Sequence, residues 1–342
     1  MDKKPVLSVR DLKAYFSLDE GIVKSVDGVS FDAWKGQVVG VVGESGCGKS
    51  VTMKSVLRIL EKPGKIVGGE ILLQKEDNPN EYIDLVKLPE NGPEIRDIRG
   101  GRIALIPQEP MAAFSPVHTI GDQITEAIRL HRPVSKREAY KICIDTLHAV
   151  GMSMPEKRFN SYSWQLSGGL RQRAIIAMAI VSNPSILIAD EPTTAIDVTT
   201  QAQILKLLKK LQQERDMTIL FITHDLGVIA QMTQYVVVMY LGRVMEKGPV
   251  DDIFHNPKHP YTRALLDSIP SAQKTTKVKL PTIAGSIPHP FNKPSGCPFH
   301  PRCTKMIPNV CNIDPPAETV VGEDHVAYCF LYQNTKEVKD AA

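Results

Sequence analysis

The chain has 342 residues, 42% of them hydrophobic, with 41 Lys and Arg against 38 Asp and Glu for a formal charge of +3. That length supports one large domain with a small one, or two of middling size, and the near-neutral balance supplies no strong field for nucleic acid or an anionic membrane. The longest unbroken apolar run, Ala174 to Val181, is far short of the roughly 20 residues that span a bilayer, so the chain is expected in the cytosol or docked on a membrane from the cytosolic side.

In chain order, "KSVDGVSFDA" and "QVVGVVG" read as strands, and a run of glycines then opens "KSVTMKSVLRIL", whose spacing predicts a helix. From about Pro110 to Tyr162 the character is helical. There "SKREAYKICIDTLHAVGM" offers Ser135 and Glu138 as a capping box, with Ala139, Ile142, Cys143, Thr146, Leu147 and Val150 on one face, so Cys143 is expected in the core. "SILIAD" and "MTILFITHD" read as buried strands flanking the helical "QAQILKLLKKLQQ", the pattern of a parallel sheet with crossover helices. "YVVVMYLGRVMEKG" predicts a hairpin, and after about Phe254 the texture turns proline-rich. These elements place an α/β domain over residues 1–255 and a small C-terminal domain over 256–342.

"GESGCGKS" fits G-x-x-x-x-G-K-[ST] in its required setting of a preceding strand and a following helix. The backbone N–H groups of Gly43, Glu44, Ser45, Gly46, Cys47 and Gly48 can curl around phosphate oxygens, Lys49 reaches the β and γ phosphates, and the Ser50 hydroxyl is a Mg²⁺ ligand at a helix N-terminus that favours anions. "SILIADEP" ends in Asp190, suited to Mg²⁺, and Glu191, suited to activating water.

"LSGGLRQR", shortly before that strand, resembles the signature sequence of ATP-binding cassette (ABC) ATPases. Gln108 resembles that family's Q-loop residue, Asp197 its D-loop residue and His224 its switch histidine, all in family order. The finer resemblance is to the ATPase subunits of dipeptide, oligopeptide and nickel importers, through "PQEPMAAFSPVHTIGDQI", "IADEPTTAIDVTTQAQIL", "HPYTRALL" and "GCPFHPRC", and it covers nearly the whole chain.

The resemblance implies a RecA-like P-loop core with an antiparallel β subdomain and a helical subdomain, about residues 110–165, that faces a membrane partner. It implies two ATPase subunits closing head to tail on two ATP molecules, so that Ser167, Gly168 and Gly169 of one chain meet the γ-phosphate held by the other. It assigns catalysis to Glu191, His224 and Gln108, with Gln108 linking Mg²⁺ and water to the membrane subunit, and adenine stacking to Phe16, with Tyr15 the second candidate. The implied partners are a second, different ATPase, two transmembrane permease subunits and, indirectly, an extracellular solute-binding protein, with no nucleic acid. Nickel or an oligosaccharide are alternative solutes. A soluble ABC ATPase of DNA repair or translation and a non-hydrolysing redox or iron sensor are rival readings. Departures from the pattern are Val51 for a frequent threonine, its N–H still available to phosphate while the lost hydroxyl contact could pass to Thr52, Ile196 for the usual leucine, and Cys47 inside the loop, a possible target of thiol reagents.

Cys297, Cys303, Cys311 and Cys329 give four thiolates in a reducing compartment, a donor set for either Zn²⁺ or an iron–sulfur cluster, with His300 and His325 keeping zinc open. The absence of a C-x2-C knuckle suits the wider span of a cluster, and the family resemblance implies [4Fe–4S], with Zn²⁺ the alternative.

Overall fold

The computed structural model describes residues 4–109, 113–194, 196–269, 283 and 285–333. Its strands are β1 (Leu7–Leu18), β2 (Gly21–Ala33), β3 (Val38–Val42), β4 (Gly64–Gln74), β5 (Tyr82–Asp84), β6 (Ile103–Ile106), β7 (Ile186–Asp190), β8 (Thr218–Ile222), β9 (Tyr235–Tyr240), β10 (Arg243–Pro249), β11 (Thr319–Gly322) and β12 (His325–Ala327). Its helices are α1 (Lys49–Val56), α2 (Pro93–Gly101), α3 (Ile120–His131), α4 (Lys136–Ala149), α5 (Pro155–Phe159), α6 (Gly168–Ile180), α7 (Val198–Arg215), α8 (Leu226–Met232), α9 (Val250–His255) and α10 (Pro260–Asp267). The chain divides into two compact units, one of Met1–Ala33, Val39–Val86 and Thr223–Ala342, the other of Trp34–Val38 and Lys87–Ile222.

The first unit holds an antiparallel sheet ordered β2-β1-β4-β5 and a mixed sheet in which β11, β12, β10, β9 and β3 follow one another. β3 runs parallel to β9, so the apolar "VVGVV" is buried on both faces, while β9 and β10 form the hairpin expected from "YVVVMYLGRVMEKG". Its C-terminal residues do not stand apart. β12 pairs with β10, and the wholly buried Glu246 of β10 receives His325 of β12 at 2.8 Å, so the described residues beyond 255 share the unit of the phosphate loop rather than forming the separate small domain expected.

The second unit carries the parallel strands β8-β7-β6, every residue of β7 and β8 being buried, with α7 as the crossover between them. The helical stretch expected over about 110–165 appears as α3, α4 and α5, except that residues 110–112 lie outside the described residues. The Ser135–Glu138 capping box opens α4, and Ala139, Cys143, Thr146 and Leu147 face the core while Ile142 is half-buried, with Ile144 buried in addition. Among the described residues no helix is long and apolar enough to cross a membrane.

Candidate functional site

In the first unit, β3 ends at Val42 and the chain turns through Gly43–Gly48 into α1. Gly43 has φ +148°, and a Cβ there would stand 2.1 Å from the Met239 carbonyl oxygen, so only glycine fits the turn against β9. Gly46 has φ +77° with nothing within 4 Å of where its Cβ would lie, so the loop backbone stands exposed there in a conformation that favours glycine. The buried Lys49 ammonium donates to the Gly43 carbonyl at 2.8 Å and to the Glu44 carbonyl at 3.1 Å. This cradle and its cation fit a nucleotide phosphate.

Two sequence expectations change here. Cys47 is 2% exposed, and burial pushes its thiol upward, so it is neither accessible nor ionised at neutral pH and is no target for thiol reagents. Thr52 is fully buried with its hydroxyl donating to the Gly48 carbonyl at 2.8 Å, so it does not take over the phosphate contact that Val51 lacks.

Tyr15 and Phe16 lie on β1. The Tyr15 hydroxyl donates to Asp27 Oδ1 at 2.8 Å and its ring lies 5.5 Å from the Lys24 ammonium, while the half-buried Phe16 packs on the backbone at Gly64. Asp27 also receives Arg243 at 3.1 Å and Lys293 at 2.9 Å; burial opposes its charge, but these partners outweigh it and hold the carboxyl far below its ordinary range. Tyr15 is thus committed to a charge network. His224 is exposed in the turn before α8, which Asp225 caps through the N–H groups of Gly227 and Val228, and it lines with Gly43, Glu44, Asp225 and Leu265 a cleft of about 320 Å³.

In the second unit, Asp190 ends β7 and is 6% exposed, and Glu191 follows with φ 47°, a left-handed conformation that costs a non-glycine residue about 1–2 kcal/mol. Strand contacts hold it there, its N–H donating to the Ile222 carbonyl at 2.9 Å. Gln108 Nε2 donates to Glu191 Oε2 at 3.2 Å, and the Thr194 hydroxyl donates to the same oxygen at 2.9 Å. Ser167 caps α6, whose first turn holds Gly168 and Gly169, and Asp197 caps α7 by accepting from the Thr200 N–H at 2.9 Å. A groove of about 670 Å³ lined by Asp122, Arg129, Leu130, Tyr140 and Phe159 lies on the helical part of this unit and contains none of the candidate catalytic, nucleotide-binding or metal-binding residues.

Residues 26–194 match the family described as ABC transporter, and residues 245–311 match that described as Oligopeptide/dipeptide transporter, C-terminal region. A probable peptide ABC transporter ATP-binding protein of Sinorhizobium fredii is 45% identical over 326 residues, which are 95% of this chain and 94% of that one. The dipeptide transport ATP-binding protein DppD of Bacillus subtilis is 44% identical over 334 residues, covering 97% of this chain and 96% of its own. The chain belongs to the ABC transporter ATP-binding family. The dimeric post-hydrolysis structure of the ATP-binding cassette MJ0796 bound to ADP and Pi matches with a TM-score of 0.62 at 26% identity, over 71% of this chain and 98% of that one. The ABC ATPase cassette fold and an ATPase activity on ATP with Mg²⁺ follow from this membership.

The cysteine segment of this ABC subunit corrects the sequence expectation. Among the described residues no group of three or more His, Cys, Asp or Glu is placed to hold a metal ion, so neither the [4Fe–4S] cluster nor the alternative Zn²⁺ stands. The thiols serve packing instead. Cys297, Cys311 and Cys329 are 7–8% exposed, burial pushes Cys297 and Cys329 up to about 12, and Cys311 Sγ accepts from the Ile307 N–H at 3.4 Å. His325 is occupied by Glu246, and His300 Nδ1 lies 3.0 Å from the Cys297 carbonyl.

Sequence reasoning missed Arg302 and Tyr261. Both touch Glu44 of the phosphate loop, across more than 200 residues of chain, and no local motif announces such a contact.

Proposed function

We propose that this chain is the ATP-hydrolysing subunit of a peptide-class ABC importer, acting at the cytoplasmic face of the cell membrane with two transmembrane permease subunits and a second ABC ATPase. The observation that carries the peptide class is the match of residues 245–311 to the oligopeptide/dipeptide C-terminal region, together with near full-length relatives named for peptide, dipeptide and oligopeptide transport. An extracellular solute-binding protein would deliver the peptide.

In this reading the N–H groups of Gly43 and Ser45–Val51 and the Lys49 ammonium bind the β and γ phosphates, the Glu44 N–H expected to join them being held instead by the Tyr261 hydroxyl, and Phe16 stacks on adenine. Lys49 exchanges its present carbonyl partners for phosphate oxygens, so the ammonium needs no large movement to engage the nucleotide. Ser50 and Asp190 hold Mg²⁺, which when bound neutralises phosphate charge, and Gln108 links that site to the permease. Glu191 takes up or orients the proton of the attacking water, while His224 donates to the transferring phosphoryl group. Ser167, Gly168 and Gly169 at the start of α6 meet the γ-phosphate held by the partner ATPase, with the N-terminal end of the helix favouring the anion, and Asp197 contributes from its own loop.

The test is reconstitution in vesicles with the permease subunits and second ATPase that co-purify with this chain. Expected is ATP hydrolysis that rises when binding protein loaded with peptide is added, and stays low for the isolated subunit. Stimulation by nickel or an oligosaccharide but not peptide reassigns the solute. Full, concentration-independent hydrolysis by the isolated monomer rejects the shared site.

A further inference from the structure

Arg302 lies in "GCPFHPRC", between two of the cysteines first read as ligands, yet its guanidinium points at the phosphate loop. Nη1 donates to Glu44 Oε2 at 2.7 Å and Nη2 donates to Glu44 Oε1 at 3.1 Å, a two-pronged pair with side-chain exposures of 5% and 19%. Nη1 also donates to the Tyr240 hydroxyl at 3.2 Å, and the guanidinium lies 5.8 Å from the Tyr240 ring and 6.0 Å from that of Phe299. Burial disfavours the charged guanidinium, but Glu44 and Tyr240 outweigh that cost and keep it protonated.

Glu44 is also held by its backbone. Its N–H donates to the hydroxyl of the buried Tyr261 on α10 at 2.9 Å, and Tyr261 packs against Tyr240 and Phe299 with ring centroids 4.8 and 5.2 Å away. The carbonyl of this same Glu44 is one of the two that seat the Lys49 ammonium. A chain of direct contacts therefore runs from Arg302 and Tyr261 through Glu44 to Lys49.

We infer that Arg302 and Tyr261 are positioning residues for the phosphate loop, clamping Glu44 by side chain and backbone so that the loop and Lys49 stand ready for nucleotide. This rests on the reading that the loop binds ATP. It gives the C-terminal segment a role in nucleotide affinity through a charge-assisted fork, whose planar geometry fixes direction as well as distance. Loss of either partner leaves the other charge poorly solvated and frees the loop to collapse.

The test is ATP affinity, measured by titration calorimetry on the purified full-length chain with Mg²⁺, alongside the thermal midpoint without nucleotide. R302M is expected to weaken ATP binding on the order of 10-fold, R302K to recover part of the loss, and the double variant R302M/E44Q to bind no worse than about twofold below R302M. A purely structural role would lower the thermal midpoint and leave the dissociation constant of the folded protein unmoved. Folded R302M with wild-type affinity, or losses that multiply in the double variant, overturn the inference. Should R302M not fold, Y261F decides, because it keeps the ring and removes only the hydroxyl that accepts from the Glu44 N–H: roughly threefold weaker binding supports the clamp, and an unchanged constant overturns it. Wild-type protein that binds no ATP overturns the functional reading, a result distinct from wild-type binding with unaffected variants.

Discussion

Gln108 donates to the same carboxylate oxygen of Glu191 that receives the Thr194 hydroxyl, so the amide expected to communicate with a membrane subunit and the carboxylate expected to handle water are joined by a direct hydrogen bond. Glu191 is held in a left-handed backbone conformation by its own strand contacts, an arrangement in which local strain is spent on aiming one side chain.

Replacing Glu191 by Gln keeps the shape and a hydrogen-bonding oxygen but removes the base. Hydrolysis in the assembled transporter is expected to fall by about 10²-fold or more, with ATP affinity retained and a closed dimer accumulating. Near-normal steady-state turnover would reject the role given to Glu191.

Gly43 and Gly46 should fail for different reasons. A Cβ at Gly43 collides with the Met239 carbonyl, so Gly43→Ala is expected to lower the thermal midpoint and abolish ATP binding together. At Gly46 the Cβ meets open space, so Gly46→Ala pays only the left-handed cost of about 1–2 kcal/mol and stays folded, and a weaker ATP affinity is expected from the altered phosphate loop alone. Thermal unfolding paired with ATP titration separates the two; a Gly46→Ala protein with undiminished affinity would contradict the cradle.

The amount legible in the sequence follows from how local each signal is. Strand–loop–helix around "GESGCGKS", the α4 capping box and the β9–β10 hairpin are each encoded within about 20 residues, and all are present. The membership of the C-terminal residues in the first unit was hidden, because β12 finds β10 across more than 70 residues and proline-rich texture reads as a boundary. The cysteines misled because spacing alone does not tell a ligand set from packed thiols, and the fold leaves them without a metal-holding grouping among the described residues.

His259 predicts an acid sensitivity of the first unit. It is fully buried, Nδ1 accepts from the Tyr261 N–H at 3.0 Å to cap α10, Nε2 finds no hydrogen-bond partner among the described residues, and burial lowers its pKa to about 4. The unfolded chain then binds a proton near its ordinary value of 6.5 while the folded chain does not, so stability is lost as pH falls from 6.5 towards 4, by about 3 kcal/mol at the low end. Glu246, held below its ordinary value by His325 against the opposing effect of burial, adds loss of the same sign at still lower pH. Denaturant melts of wild type and His259→Asn between pH 7 and 4.5 check this; Asn can keep the cap without titrating, so an equally steep pH slope in the variant would assign the sensitivity elsewhere.

Asp197 caps α7 through the Thr200 N–H and hydroxyl, and the Thr200 N–H holds the carboxyl below its ordinary pKa. Asp197→Ala is expected to lower the thermal midpoint by about 2–4 °C, whereas Asp197→Asn should retain most of the cap. Both are expected to slow hydrolysis in the assembled transporter while leaving ATP affinity of the isolated subunit unchanged, and a loss of that affinity would show that the residue acts within its own chain.

The first unit is sewn from three stretches of chain, with β1 and β2 at one end of the sequence and β12 near the other, while the second is almost entirely the continuous run from Lys87 to Ile222. During synthesis the second unit can therefore mature as soon as its last strand leaves the ribosome, but the first must keep β1, β2 and the phosphate loop waiting for about a hundred further residues, several seconds at ordinary elongation rates. For about the first 40 of those residues Glu44 lacks both Tyr261 and Arg302, and for about the next 40 it lacks Arg302 alone. A chain stalled before Arg302 would thus carry a phosphate loop without its charge-assisted fork, which makes synthesis of the C-terminal segment a step that raises nucleotide affinity.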